Sequence, residues 1–215
     1  MTLTRILVVA ALSVLCTGAD APPTDPPPIA TLACVVGDSW TYQYAAKSVN
    51  GSGLNGAETF TQGDCGDRRV LHPSGKLTKA DVTGDADGNL LTGFSVFTGS
   101  AERFKKPFPY FRLPLTAGEK WDSAVDIDTG DGDLTGTGHW NTIGWETITV
   151  PAGTYDCLRK ELKMDYDFSS NFGDVNGTYK ETSWYCPALR SDAKSISSDS
   201  FGETSTRELT AVALK

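Results

Sequence analysis

The sequence predicts an all-β domain, folded as one strongly curved antiparallel sheet that forms a half-barrel or an open barrel. Three observations predict it. First, apolar and polar residues alternate with period two. Trp40, Tyr42 and Tyr44 stand against Thr41 and Gln43, and Leu162, Met164, Tyr166 and Phe168 against Lys163, Asp165 and Asp167, the pattern of half-buried strands. Second, clusters of Gly, Asn, Asp and Pro punctuate these runs at turn spacing. Third, no stretch carries a sustained 3.6-residue period with caps, so no helix is expected.

Residues 1–19 read as a secretory signal. Arg5 supplies the positive charge, and residues 6–15 form an apolar run too short to span a bilayer. Cleavage is expected after Ala19, because Pro22 would follow a cut at Ala21. Cys16 raises lipid anchoring as an alternative, but Ser13 and Leu15 make a poor lipobox. Removing Arg5 and no acidic residue leaves 18 Lys and Arg against 27 Asp and Glu, a net charge of −9. Such acidity argues against a nucleic-acid partner and against docking on anionic lipid. No other apolar run is long enough for a transmembrane helix. Residues 20–32 are a proline-rich, extended linker, and residues 33–215 are long enough for one all-β domain with a full core.

Along that domain, the first strand carries Trp40, Tyr42 and Tyr44. Short strands follow at residues 59–62, 69–72, 76–83 and 89–97, the last two joined across an Asp87-Gly88 turn, a strong hairpin signal. Residues 105–114 are aromatic but broken by three prolines, which marks an edge or crossover segment. Gly118-Glu119-Lys120-Trp121 repeats the Gly-x-x-Trp of Gly37-Asp38-Ser39-Trp40, a hint of two similar β-meander halves. Strands at residues 140–150, a central hairpin at 147–190 and a strand at 204–213 complete the set.

The central hairpin permits a register test. If Cys157 stands opposite Cys186, Leu158 meets Tyr185 and Met164 meets Tyr179, so the apolar residues of both strands share one face. A slip by one residue would separate them. The same register brings the two cysteines within disulfide reach, at the cost of facing Lys163 with Lys180. The four cysteines of the mature chain, Cys34, Cys65, Cys157 and Cys186, are read as structural disulfides of an exported protein. Pairing sequence neighbours is the simplest of three connectivities, each bond closing a loop worth about 3 kcal/mol.

The run from Ile148 to Leu162 with its Val150-Pro151-Ala152-Gly153-Thr154 turn, the later Trp184-Tyr185-Cys186-Pro187, and the upstream Val36-Gly37-Asp38-Ser39-Trp40-Thr41-Tyr42 together resemble bacterial exported proteins of the DUF3108 and TapB-like kind. Ala188-Leu189 departs from the Gly-containing turn usual in that group. The resemblance implies a curved, LolA-like half-barrel in the cell envelope and no known reaction.

Candidate chemistry is sparse. The two histidines, His72 and His139, lie in no nucleophile motif. Asp126, Asp128, Asp131 and Asp133, and separately Asp81, Asp85, Asp87 and Asn89, could offer oxygens to calcium, but neither set fits an EF-hand, and an acidic turn explains both. Trp40, Trp121, Trp140, Trp145 and Trp184 are expected in the core, with a sugar platform as the rival reading. No catalytic residue, metal ligand or cofactor is assigned. The expectation is a non-catalytic periplasmic or extracellular binding or structural module of the envelope, partnered by a protein, lipid or glycan. The alternatives are a carbohydrate-binding or glycoside-hydrolysing domain and a carrier of lipid or another hydrophobic ligand.

Overall fold

The computed structural model describes residues 26–215; the expected signal, Cys16 and the first part of the linker lie outside them. Twelve strands follow in order: β1 (Ser39–Lys47), β2 (Asn55–Cys65), β3 (Arg68–Pro73), β4 (Val82–Asp85), β5 (Leu90–Phe94), β6 (Ala101–Phe108), β7 (Lys120–Asp128), β8 (Gly132–Val150), β9 (Gly153–Ser170), β10 (Gly173–Cys186), β11 (Ser191–Asp199) and β12 (Thr204–Ala213). Each pairs antiparallel with its sequence neighbours, and β12 returns to β1. The strongly curved antiparallel sheet is therefore present, and its curvature carries through to a closed barrel. A single 3-10 turn, Pro187–Leu189, is the helical element of the described residues.

The hairpin register follows from its side chains. Leu158 faces Tyr185, Met164 faces Tyr179 and Lys163 faces Lys180. Cys157 is bonded to Cys186 and Cys34 to Cys65. The first pair is fully buried beside Leu189 and Val150. The second ties the N-terminal segment to the end of β2.

Closure gives the barrel two ends. Ser39 and Lys120 begin their strands at the lower end, where Gly37 (φ 92°) and Gly118 (φ 79°) make the preceding turns, a conformation that glycine adopts without strain. The two Gly-x-x-Trp copies thus open the first and the seventh of twelve strands, half the circumference apart. Their tryptophans point inward and are buried. Ile29 pairs with Leu115 across the lower end, and Leu32, Phe111, Leu113 and Leu115 pack into the core there.

The wall is uneven. β8 and β9 pair over almost their whole length, whereas β6 and β7 share only Arg103–Asp128 and Phe104–Ile127. Side-chain charge reinforces that seam. Arg103 pairs with Asp128 at 2.9 Å, and Lys105 reaches Asp133 at 2.7 Å and Asp126 at 3.4 Å. Three acids of that cluster, Asp126, Asp128 and Asp133, are therefore engaged by bases from β6, while Asp131 lies in the turn between β7 and β8. Asp85, in the second cluster, accepts hydrogen bonds from the backbone of Asp87 and Asn89 and shapes their turn.

One expected strand is shortened: residues 76–81 are irregular, and only 82–85 pair. Two strands lie outside the expected set: β11, whose Ser-rich sequence shows no apolar alternation, and β6, of which only residues 105–108 fall in the segment read as an edge or crossover.

Replacing Cys34 and Cys65 together by alanine should cost about 3 kcal/mol, as expected for opening a loop of about 30 residues. Urea denaturation followed by circular dichroism measures it, and an unchanged midpoint would contradict the tether.

Candidate functional site: the barrel interior

Along β9 the inward row runs Leu158, Lys160, Leu162, Met164 and Tyr166. Lys160 is the one charged member and is fully buried. It is flanked in register by Thr142 of β8 and Ser183 of β10. Its Nζ lies 3.8 Å from the centroid of Tyr110 and 3.9 Å from that of Phe111. Both rings come from the β6–β7 connection, whose prolines turn it into the barrel rather than along the sheet. This cation–aromatic packing compensates part of the lost hydration.

The counter-charge is Asp192. A β-bulge between β10 and β11 leaves Ala193 unpaired. It re-aims the strand, so that Asp192 faces inward together with Ser195 and Ser197 despite their different parity. Asp192 Oδ1 lies 3.7 Å from Lys160 Nζ, an ion pair too long for a hydrogen bond, and each of these atoms lacks a hydrogen-bond partner. Asp192 Oδ2 takes a hydrogen bond from Arg207 at 3.2 Å and stands 2.8 Å from the Tyr110 hydroxyl. Glu181 lies on the other side of Tyr110, its Oε1 3.0 Å from that hydroxyl, while its Oε2 accepts from Tyr179 at 2.8 Å.

Burial sets the electrostatics. Desolvation, opposed by Asp192 and Glu181, pulls the Lys160 ammonium down to about 8. Desolvation first, then the neighbouring carboxylates, lifts Tyr110 and Tyr179 well above the ordinary phenol range.

Above this polar floor the barrel is hollow. A cavity of about 530 Å³ extends from Leu32, Tyr110 and Phe111 to Phe97, Asp199 and Glu203 near the upper end. Ligand pockets generally fall between about 300 and 1,000 Å³. One wall is apolar, with Phe94, Phe104, Val125, Leu134 and Met164; the facing wall carries Ser195, Ser197, Ser205, Glu181 and Arg207.

Other residues read from the sequence take structural places. Trp40, Trp121 and Trp140 are buried, and their indole N–H groups donate to Leu189 O, Pro109 O and Ser123 Oγ. Trp121 and Trp140 stack at 5.4 Å inside the core. Trp184 donates to Glu146, and Trp145 packs on the core. His72 and His139 face Asp81 and Asp122, with more than 45% of each histidine side chain exposed. No group of three or more potential metal ligands forms among the described residues. Lys160, Glu181, Asp192 and Arg207 were missed by pattern reading; the signal for Lys160 was a lone charge on an apolar row.

Two solved structures share the fold. One, named as a lipoprotein of Parabacteroides distasonis ATCC 8503, matches with a TM-score of 0.51 at 14% identity, over 88% of this chain and 100% of its own. The other, named as an exported protein with YmcC-like fold from Bacteroides fragilis NCTC 9343, matches with a TM-score of 0.50 at 13% identity, over 86% of this chain and 99% of its own. No protein-family model and no curated protein matches the chain. The DUF3108 and TapB-like resemblance therefore rests on its own residues.

Between about pH 8 and the ordinary lysine value near 10.4, the folded chain sheds the Lys160 proton that the unfolded chain keeps, so this group makes stability rise with pH there. Above about pH 10 the tyrosines reverse the trend, because the unfolded chain then loses protons that the folded chain holds. Lys160→Met should abolish the rise in urea melts at stepped pH. Asp192→Ala, which strands Lys160 and Arg207, should cost about 3–5 kcal/mol; a loss below about 1 kcal/mol would contradict the pairing.

Proposed function

We propose that this protein is an exported binding protein that holds an amphiphilic small molecule inside its barrel. The observation that carries the reading is the cavity, with its aromatic and aliphatic wall opposite a serine-rich polar wall. A hydrocarbon chain gains from the first wall, at about 25 cal/mol per Å² of apolar surface buried, while a polar end meets hydrogen-bonding groups on the second. Export is supported by the signal-like residues 1–19 and by two disulfides, which persist in oxidising compartments. The role is carriage or retention rather than catalysis. Burial of three tryptophans inside the barrel disfavours a surface sugar platform.

The test is uptake of the neutral apolar fluorophore N-phenyl-1-naphthylamine. The wild-type protein should raise its emission saturably. Gly93 lines the cavity, and a Cβ there meets nothing closer than Phe104 at 3.9 Å. Gly93→Phe should fill the space and abolish uptake with an unchanged circular dichroism spectrum. Absence of uptake by the wild-type protein would remove the reading.

A further inference from the structure

The cavity holds one acid that the fold leaves without a partner. The other inward carboxylates are satisfied by the protein. Glu58 accepts backbone N–H groups of Gly75, Leu77 and Thr78. Asp192 is held by Arg207 and Lys160, and Glu181 lies between two tyrosine hydroxyls. Asp199 accepts from the backbone of Phe201 and Glu203 in its own turn, and the Glu203 carboxyl, at the upper rim, has the Val49 backbone and Asp199 as hydrogen-bonding neighbours. Glu102 differs. It sits on the inward face of β6, two residues from Phe104, and lines the cavity. Burial alone acts on its carboxyl and pushes it up to about 7; no hydrogen bond or counter-charge offsets that cost. Tyr179 feels its charge from across the interior.

The bases are distributed in the opposite way. Three arginines reach the cavity lining among the described residues, and each is occupied. Arg69 donates to Leu32 O and Ala86 O, Arg190 to Asp38, and Arg207 through Nη2 to Asp192, its Nε being buried without a partner but its charge paired. Lys160 lies beneath the rings of Tyr110 and Phe111. A free fatty acid or a phosphorylated lipid would therefore bring its anion to a space with no unpaired cation and an unpaired carboxyl. An ammonium group would find its counter-ion there, with the Phe104 and Tyr179 rings able to add cation–π attraction.

We propose that the cavity selects cationic amphiphiles, molecules with a hydrocarbon chain and a protonated amine, and that Glu102 is the counter-ion for the amine. This rests on the reading of the barrel as an amphiphile-binding protein. Glu102 acts as a specificity determinant: the chain supplies affinity through the apolar wall, and the carboxylate supplies the choice of head group.

The experiment is displacement of bound N-phenyl-1-naphthylamine from the purified, disulfide-bonded protein at pH 7 and low salt. The competitors are dodecylamine, dodecanol and laurate, each below its aggregation threshold. Dodecylamine should displace the probe at a concentration about tenfold below that of laurate, with dodecanol between them. In Glu102→Gln the difference between amine and carboxylate should shrink to within about twofold, while dodecanol displaces as before. Near-UV circular dichroism reports that the variant is folded; Glu102→Asp, which keeps the charge, should retain the preference. Equal or better displacement by laurate in the wild-type protein overturns the proposal, and so does a preference that survives Glu102→Gln. In both cases the binding reading stands. If the wild-type protein takes up no probe, the binding reading itself fails and the head-group selection falls with it.

Discussion

The width of a closed twelve-stranded sheet governs the rest of the molecule. A barrel of about eight strands is just filled by its own inward side chains. Twelve strands enclose more than a single layer of side chains can occupy. The chain meets that excess in three ways. Below, Leu32, Leu115 and the Tyr110-Phe111 pair fold inward from outside the sheet. Above, residues 75–78 are drawn over the rim by hydrogen bonds to Glu58. Between them the interior stays open. The cavity is thus a consequence of strand number, and its chemistry is a consequence of which residues fall on the inward parity.

The buried charges follow a consistent logic. Lys160 and Arg207 converge on one carboxylate, and two tyrosines converge on another. Charges taken out of water stabilise little in net terms, but breaking such a set is costly. Their effect is to hold β9, β10, β11 and β12 and the β6–β7 connection in one relative arrangement. Tyr110 is the joint of that arrangement, since it touches both carboxylates and covers the ammonium. The bulge at Ala193 makes it possible; without it, Asp192 would face solvent.

Local pattern carried most of the fold. The alternation of β9 and β10 fixed not only two strands but their residue-by-residue register, because only one alignment puts Leu158, Met164, Tyr179 and Tyr185 on a common face. The Asp-Gly turn and the Gly-x-x-Trp starts were equally readable, since backbone conformation there depends on a few adjacent residues. Closure was not. Pairing of β1 with β12 joins segments more than 150 residues apart, and neither strand bears a mark of the other. The site was less legible still. β11 was overlooked because Ser195 and Ser197 break the apolar alternation, and those serines are what make one wall of the cavity polar. Glu102 looks like an ordinary solvated charge until the parity of the neighbouring strands assigns it inward, whereas Lys160 is marked on its own strand as the lone charge of an apolar row.

The order of assembly follows from the connectivity. All pairings but one join adjacent strands, so hairpins can form locally as the chain emerges, with little loop-closure entropy to overcome. The remaining pairing is the longest-range contact in the sheet, and it involves the last strand. In a chain delivered amino end first, eleven strands can curl into an open trough, but the enclosure waits for Thr204–Ala213. Until then the inward faces of β1 and β11 remain unlidded. An occupant that enters during this interval is sealed in by the final strand, and one that enters later must pass a rim or part the two-pair seam between β6 and β7.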